Sequence, residues 1–311
     1  MMQSVRIIFM GTPAFAVPSL EILVENKFNV VAVITAPDKP QGRGQKLTPS
    51  PVKEFAVKHN IPVLQPTNLK SPAFIDELKS CNANLQIVVA FRMLPEAVWA
   101  MPSIGTFNLH ASLLPHYRGA APINWAIING EKETGVTTFF LKHEIDTGSI
   151  IFQEREPIGE KDDAGSLYER LMKKGGQLVL KTVKAIADGD YPLIPQPKVV
   201  ETKRAPKIFK ETCEINWNLS STAIQNFTRG LCPYPAAWTQ INGKAFKIFH
   251  IQLAASVIED ASQTPGSLKT DHKTYLYIKA SDGWISIEEL QPEGKRRMTI
   301  EEFFRGNKIL I

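Results

Sequence analysis

The sequence predicts an α/β domain built on a mostly parallel sheet, followed by a small β-barrel. In the first half of the chain, short β-branched runs alternate with segments whose apolar residues recur at helical spacing. That alternation is typical of βαβ units around a parallel sheet. In the last third, short alternating segments are separated by turn signals, as in small barrels. A chain of 311 residues can bury two cores, so we expect two domains.

The elements of the first half follow from these patterns. We predict strands at 5–10, 29–35, 85–90, 106–108, 136–141 and 149–154. Helices are predicted at 18–25, 51–58 and 72–79, each with a proline near its start, where the missing N–H costs no hydrogen bond. A long helix over 163–187 ends at Asp188-Gly189-Asp190 and closes the first domain.

Four prolines between 191 and 206 exclude regular structure over any length and indicate an extended linker. Beyond it we predict a helix at 222–229 and strands at 245–251, 274–280 and 284–290. The expected boundaries are therefore a catalytic domain at 1–190, a linker at 191–206 and a C-terminal barrel at 207–311.

Composition excludes several classes of protein. With 43% hydrophobic and 22% charged residues, the chain is neither disordered nor fibrous. Its first apolar stretch is too short to span a membrane and lacks a signal-peptide pattern, so a cytoplasmic location is expected. Three widely spaced cysteines argue against a disulfide framework or a zinc ribbon and indicate buried thiols. The net charge of +5 is only weak support for a polyanionic partner.

The residues most suited to chemistry are Asn108 and His110, which share one face of a predicted strand. An imidazole beside a carboxamide provides a proton-transfer group and a fixed dipole, which an acyl transfer needs at its tetrahedral intermediate. Asp146 would complete the set by holding the histidine tautomer or by positioning a water that relays the proton. From spacing alone, a structural Asn-x-His pair and a simple Asp-Thr-Gly turn remain open alternatives.

Two further loops have both functional and structural interpretations. The segment 112–115, Ser-Leu-Leu-Pro, is either part of a pocket for an aromatic ring or a rigid loop with two core leucines. The glycine-rich loop 37–46 carries Lys39, Arg43 and Lys46, which either bind phosphates or form a solvated insertion. A dinucleotide site at Gly11 is rejected because the full glycine pattern is missing and Pro13 removes a backbone donor.

The combination of these motifs closely resembles the methionyl-tRNA formyltransferase family. The motifs are Phe9-Met-Gly-Thr-Pro13, Pro37-Asp-Lys-Pro-Gln-Gly-Arg-Gly-Gln-Lys46, Pro49-Ser-Pro-Val-Lys53, Asn108-Leu-His-Ala-Ser-Leu-Leu-Pro115, Tyr117-Arg-Gly-Ala-Ala-Pro122 and Asp146-Thr-Gly148. The resemblance covers nearly the whole chain. It implies a Rossmann-like formyltransferase domain joined to an oligonucleotide-binding-type barrel, and the transfer of a formyl group from 10-formyltetrahydrofolate to the α-amine of initiator methionyl-tRNA.

The resemblance also implies roles for single residues. Asn108, His110 and Asp146 would be catalytic, and the folate-binding segment would include Ser112, Leu113, Leu114 and Pro115. The loop with Lys39, Arg43 and Lys46 would reach the tRNA acceptor end. No metal is implied, and a monomer is expected.

One departure from the family concerns Phe91-Arg92-Met93, which stands where the family usually has a Tyr-Gly-type turn. This change bears on the wall of the folate pocket.

Related enzymes formylate a glycinamide nucleotide or a sugar amine, or pass the formyl group to water, and a sugar formyltransferase is the leading alternative. A non-enzymatic RNA-binding module would explain the basic charge and the barrel but not the catalytic residues.

Overall fold

The structure is a computed structural model that describes residues 4–41, 45–197, 202–254 and 263–309. The chain divides into two compact units that interleave in sequence. The first comprises Met1–Gly119, Thr134–Glu156 and Tyr168–Lys203, and the second Ala120–Glu133, Pro157–Leu167 and Arg204–Ile311. The domain boundaries expected from the sequence, at 190 and 206, remain a prediction.

Strands β1–β10 and helices α1–α6 make up the first part of the chain. The strands are β1 Arg6–Gly11, β2 Asn29–Ile34, β3 Lys39–Gln41, β4 Lys46–Thr48, β5 Val63–Leu64, β6 Leu85–Val89, β7 Gly105–His110, β8 Arg118–Gly119, β9 Glu133–Phe140 and β10 Ile150–Pro157. The helices are α1 Val17–Glu25, α2 Pro51–Lys58, α3 Pro72–Ser80, α4 Glu96–Trp99, α5 Pro122–Ile128 and α6 Ala164–Asp188.

The first unit is organised around a seven-stranded sheet with the order β10-β9-β7-β6-β1-β2-β5. Strands β1, β2, β5, β6 and β7 run parallel to one another, and β9 joins β7 in the antiparallel direction. Strand β6 is buried along its whole length because both faces of such a sheet are covered. The mostly parallel sheet predicted from the sequence is confirmed.

Two helices of this unit begin at a Ser-Pro pair that appears in the sequence. The Ser50 hydroxyl accepts a hydrogen bond from the Lys53 backbone N–H, and Ser71 caps α3 through Phe74 in the same way. The proline that follows each serine occupies the first helical position, where no N–H is needed. These caps explain why the predicted starts of both helices agree with the structure.

Helix α6 packs closely against β7, the strand that carries Asn108 and His110. A side chain at Gly175 would place its Cβ 2.7 Å from a methyl group of Leu109, so the glycine permits the close approach.

Two cations of helix α6 pair with Glu156 of β10: Arg170 lies 2.7 Å from the carboxylate, and Lys174 lies 3.2 Å from it. Burial raises the pKa of Glu156, but these two cations outweigh it and hold the pKa below its usual range.

The second unit contains a curled antiparallel sheet of half-barrel form with the order β12-β13-β16-β15-β14, to which β17 adds at β16. Its core includes Ile248, Ile278 and Ile287, all essentially inaccessible to solvent. The strands are β11 Arg204–Ala205, β12 Ala237–Ile241, β13 Lys244–Leu253, β14 Leu268–Thr270, β15 Leu276–Lys279, β16 Trp284–Pro292 and β17 Met298–Thr299, and the helices are α7 Ser221–Leu231 and α8 Ile300–Phe304.

Several short elements were not predicted from the sequence. These are α4, α5, α8 and the strands β3, β4, β5, β8, β11, β12, β14 and β17. Most of them are too short for an apolar period to repeat, so their conformation depends on the surface on which they pack. Helix α5, for example, lies against α7, where Asn124 donates a hydrogen bond of 2.8 Å to the Gly230 carbonyl.

The cysteines are free thiols, and only part of the prediction for them is correct. Cys213 and Cys232 are buried, whereas Cys81 is half-buried. Burial raises the pKa of Cys232 to about 12, which leaves its thiol protonated and unreactive at neutral pH.

In the described part of the chain, no helix is both long and apolar enough to cross a membrane, and no group of three or more His, Cys, Asp or Glu side chains could hold a metal ion.

Replacing Leu178 with alanine tests how much α6 contributes to the first unit. Leu178 is 1% exposed, so its truncation should lower the free energy of unfolding by ~2–5 kcal/mol through lost burial and a cavity. Denaturant unfolding measures this loss. Lys184→Ala, on the exposed side of the same helix, is the matched control and should change stability little.

Candidate active site

The end of β7 brings Asn108 and His110 to one face of the sheet. Asn108 pairs with Val88 of β6 and Phe139 of β9, and His110 pairs with Thr137 of β9. Because side chains alternate along a strand, Asn108 and His110 point away from the face on which Leu109 meets α6. Asn108 is half-buried, and His110 is 6% exposed. A largely dehydrated imidazole and a carboxamide therefore lie on the same face at the C-terminal end of β7.

The imidazole of His110 is fixed by a backbone carbonyl. Its Nε2 lies 2.8 Å from the carbonyl oxygen of Tyr117. Since a carbonyl oxygen can only accept, Nε2 carries the proton and donates it, and in the neutral ring Nδ1 keeps its lone pair. Nδ1 lies 3.9 Å from Asp146 Oδ2. The ring thus has one nitrogen occupied and the other turned toward a carboxylate.

Asp146 lies on a tight loop between β9 and β10. Its backbone has φ of 55°, a left-handed conformation that Asp tolerates better than most residues. Its Oδ2 accepts a hydrogen bond of 3.0 Å from the Gly119 backbone N–H, and its side chain is 12% exposed. Two residues on, a Cβ at Gly148 would lie 1.5 Å from the Phe140 carbonyl oxygen. The loop therefore requires glycine there to bring Asp146 to His110.

The segment from Ser112 to Pro115 is held by a buried hydroxyl of β9. Thr137 Oγ1 donates to the Ser112 carbonyl at 2.6 Å and accepts from the Leu114 N–H at 3.3 Å. The Gln153 amide donates to the same hydroxyl at 2.9 Å and to the Leu114 carbonyl at 3.0 Å. The Ser112 carbonyl and both backbone groups of Leu114 are thus fixed by side chains from other strands.

A cavity of about 580 Å³ adjoins this segment. Its lining residues are Leu113, Leu114, His116, Gln153, Glu154 and Arg155. Leu114 is buried and packs with Phe139 and Ile150, so one of the two leucines contributes to the core. Leu114 therefore belongs to both the cavity wall and the core, and the folate-binding role of this loop remains a prediction.

The basic loop forms a hairpin of β3 and β4, in which Lys39 pairs with Thr48 and Gln41 with Lys46. The Lys39 side chain is exposed. Arg43 lies outside the described residues, as does the side chain of Lys46. The structure therefore places Lys39 on the surface and provides no description of the other two side chains.

A charged network holds the base of this hairpin. Lys53 Nζ donates to Asp38 Oδ2 at 2.6 Å and to Gln65 Oε1 at 2.7 Å, while the Gln65 amide donates to Asp38 Oδ1 at 2.8 Å. The hydrogen bond from Lys53 holds the pKa of Asp38 below its usual range. Asp38 and Lys53 belong to two separate sequence motifs, and the structure shows that they form one anchor.

The departure at Phe91-Arg92-Met93 has a clear structural counterpart. Phe91 packs against the core beside β6, and Met93 is 74% exposed. The Arg92 guanidinium donates to the backbone carbonyls of Pro66 and Thr67, which ties this loop to the segment that follows β5. The arginine thus serves as a link between two loops of the first unit.

Several residues of the site were missed by sequence reasoning. Thr137, Gln153 and Gln196 each hold a backbone segment of the site through side-chain hydrogen bonds. The Tyr117 carbonyl and the Gly119 N–H act through the backbone, so no side chain indicates them. A single sequence contains no signal for such contacts, because they join residues far apart in the chain.

Two sequence profiles match the chain. One, described as formyl transferase, covers residues 5–183, and another, described as formyl transferase C-terminal domain, covers residues 207–308. The chain belongs to the formyl transferase family. Membership confirms the predicted resemblance and makes the protein one of a family of formyl-transferring enzymes.

Similar formyl transferases are known from bacteria. The methionyl-tRNA formyltransferase of Bacteroides fragilis is 53% identical over 312 residues, which covers 98% of this chain and 95% of that protein. The methionyl-tRNA formyltransferase of Flavobacterium johnsoniae is 50% identical over 305 residues and covers 98% and 97%, respectively. Both alignments extend through the catalytic and C-terminal regions.

A similar fold occurs in a solved N-formyltransferase from Helicobacter canadensis, in complex with folinic acid and dTDP-3-aminofucose. It aligns with a TM-score of 0.64 and 24% identity, over 93% of this chain and 99% of that one. At this identity the likeness extends to the fold alone.

Replacing Gly148 with alanine tests the loop that carries Asp146. The added Cβ would overlap the Phe140 carbonyl, so the loop must shift, and we expect formyl transfer to fall by at least about tenfold. The initial rate of transfer measures the effect. Gly283→Ala, where nothing lies within 4 Å of an added Cβ, is the matched control. Equal rates for the two variants would contradict the requirement for a tight loop.

Proposed function

We propose that this formyl transferase moves the formyl group of 10-formyltetrahydrofolate to the free α-amino group of initiator methionyl-tRNA, giving N-formylmethionyl-tRNA for translation initiation. The geometric observation that carries the proposal is the placement of His110, whose Nδ1 is turned toward Asp146 while its Nε2 is occupied. The acceptor is inferred from the relatives that align over 98% of the chain.

In the reaction, the lone pair of the uncharged α-amine attacks the formyl carbon, and the carbonyl π electrons move to oxygen. The Asn108 amide and the protonated His110 stabilise the resulting oxyanion. The tetrahedral intermediate then re-forms its C=O bond and breaks the bond from the formyl carbon to the folate nitrogen. The proton lost by the attacking amine balances the proton gained by that nitrogen.

Asp146 takes part in this proton movement through water. Its carboxylate is 3.9 Å from His110 Nδ1, beyond the range of a direct hydrogen bond but compatible with a bridging water. The other role considered from the sequence, holding the tautomer, is performed by the Tyr117 carbonyl. We therefore assign Asp146 to the relay and His110 to the acid that assists departure of the folate nitrogen.

The donor is held by the segment Ser112, Leu113, Leu114 and Pro115. Its apolar side chains favour the aromatic portion of a folate, and its backbone is fixed by Thr137 and Gln153 before any ligand arrives. A preorganised segment loses little conformational entropy on binding. The donor is a co-substrate, and no step of the mechanism uses a metal.

The tRNA acceptor end is contacted by the β3–β4 hairpin with Lys39, Arg43 and Lys46. Lysine and arginine neutralise phosphates, and a guanidinium plane can stack on an unpaired base. The anchor of Asp38, Lys53 and Gln65 supports this assignment, because it fixes the base from which the hairpin extends. The protein is assigned as a cytoplasmic monomer.

A test of the acceptor compares three reactions with 10-formyltetrahydrofolate: methionyl-tRNA, an amino-sugar nucleotide, and no acceptor. We expect formyl-methionyl-tRNA alone, and its loss in His110→Ala. Asn108→Ala should lower turnover by roughly 10²–10³, the usual cost of one oxyanion donor.

Each other result has a definite meaning. Transfer only to the sugar amine would overturn the acceptor and retain the chemistry, and formyl release without an acceptor would indicate a hydrolase. A folded Asn108→Ala variant with near-full turnover would remove Asn108 from the mechanism. Failure to release tetrahydrofolate with any acceptor would favour an RNA-binding module.

The donor segment is tested at Thr137. Thr137→Val removes the hydroxyl that links the Ser112 carbonyl to the Leu114 N–H. Each lost hydrogen bond is worth ~1 kcal/mol, which corresponds to about fivefold in a binding constant. We therefore expect KM for the folate donor to rise roughly fivefold or more. Steady-state kinetics give this value. Thr137→Ser keeps the hydroxyl, so its KM for the folate donor should be close to that of the wild type.

The matched control for this change is Thr138→Val. Thr138 is also fully buried, but its hydroxyl faces Thr182 of α6 at 2.9 Å. This variant should lose stability and leave the donor KM unchanged. A rise in KM of equal size in both valine variants would contradict the role of Thr137.

A further inference from the structure

The segment after α6, expected from its prolines to be a linker, begins as an anchored strand-like stretch. Ile194 and Ile150 exchange two backbone hydrogen bonds, of 2.8 and 2.9 Å, as an antiparallel bridge at the start of β10. In antiparallel pairing the two segments run in opposite directions, so the residue two positions after Ile194 lies opposite the residue two positions before Ile150. Gln196 is therefore brought beside Gly148, at the loop that carries Asp146.

Gln196 uses its side-chain amide fully in this position. Its Nε2 donates to the Asp146 carbonyl at 2.8 Å and to the Gly148 carbonyl at 2.9 Å. Its Oε1 accepts from Nη2 and Nε of Arg118, at 2.5 and 3.2 Å. Gln196 is half-buried, whereas the prolines on either side of it are exposed. One side chain thus connects the Asp146 loop with the arginine that precedes Gly119.

These contacts act on both supports of the Asp146 carboxylate. The amide N–H groups hold the backbone on either side of Thr147, where Asp146 has its left-handed conformation. Arg118, held by the amide oxygen, precedes the Gly119 N–H that binds Asp146 Oδ2. A shift of the Gln196 amide would therefore move the Asp146 carboxylate together with the Gly119 N–H that orients it.

We propose that Gln196 is a positioning residue for the formyl-transfer reaction, which holds Asp146 at its working distance from His110. This inference rests on the proposed role of Asp146 in the proton relay. The four hydrogen bonds of the Gln196 side chain go to Arg118 and to the Asp146 loop, so it acts through the loop. The segment expected as an extended linker thereby supplies part of the catalytic geometry.

The chemistry of the amide suggests a specific variant. Gln196→Glu keeps the shape and an oxygen that accepts from Arg118, but it replaces the two N–H donors by an oxygen that faces two carbonyls. The carbonyls would repel the carboxylate, and the loop would move away. The variant therefore removes the hold on the loop while keeping the contact with Arg118. Gln177→Glu, at an exposed position of α6, is the control for the added charge.

The experiment is a double-mutant cycle of Gln196→Glu and Asp146→Asn on the full chain, with methionyl-tRNA and 10-formyltetrahydrofolate at saturation. We expect Gln196→Glu to lower kcat roughly 10- to 100-fold, since a displacement of about 1 Å can cost 10²-fold. KM for the donor should change by less than about twofold, and Gln177→Glu should match the wild type. In the Asp146→Asn background, Gln196→Glu should have little further effect, because residues that act as one unit are not additive.

Additive effects in the cycle, or an unchanged kcat in Gln196→Glu, would overturn the proposal. Crystal structures of the wild type and Gln196→Glu give a readout that is independent of the acceptor. The distance from His110 Nδ1 to Asp146 Oδ2, 3.9 Å in the wild type, should increase in the variant. An unchanged distance would reject the positioning role. If wild type fails to formylate methionyl-tRNA while the distance increases, the acceptor is wrong and the role of Gln196 stands.

Discussion

The hydrogen bond from His110 Nε2 to the Tyr117 carbonyl is the constraint on which the candidate site depends. It leaves Nδ1 as the only nitrogen of the ring that can exchange a proton with substrate or water. The bond also joins the two ends of the segment from His110 to Tyr117, and the Ser112–Pro115 segment lies between these two residues in the sequence. The orientation of the imidazole and the shape of the donor segment are therefore set together, within a few residues of one strand end.

Other parts of the fold hold that loop from outside. Thr137 of β9 and Gln153 of β10 fix the donor segment, while Gln196 fixes the loop of Asp146. Each of these contacts joins a side chain to a backbone group of another segment, so removing one leaves that group without this hydrogen-bond partner, which is costly where the group is buried. A site held in this way stays in place before substrate binds, which suits a reaction that depends on fixed dipoles at an oxyanion.

Close packing behind β7 has a similar role. Gly175 lets α6 approach Leu109, which lies between Asn108 and His110 in the strand, and Gly148 lets the Asp146 loop pass the Phe140 carbonyl. These glycines act through space that only hydrogen can occupy, rather than through flexibility. The sequence places them in a helix and in a turn, but neither position by itself reveals which atom lies opposite.

The sequence by itself determined the alternating α/β pattern, the starts of α2 and α3 at their Ser-Pro pairs, and the shared strand face of Asn108 and His110. These features depend on residues a few positions apart, whose geometry is fixed by the period of a strand or a helix. The motif resemblance added the family, with Asp146 and the donor segment. Only the tertiary structure decided which nitrogen of His110 is free, how Asp38 meets Lys53, and that Gln196 reaches the Asp146 loop from 50 residues away. Such contacts depend on how distant segments pack, and a local pattern of residues contains no information about the partner that packing will supply.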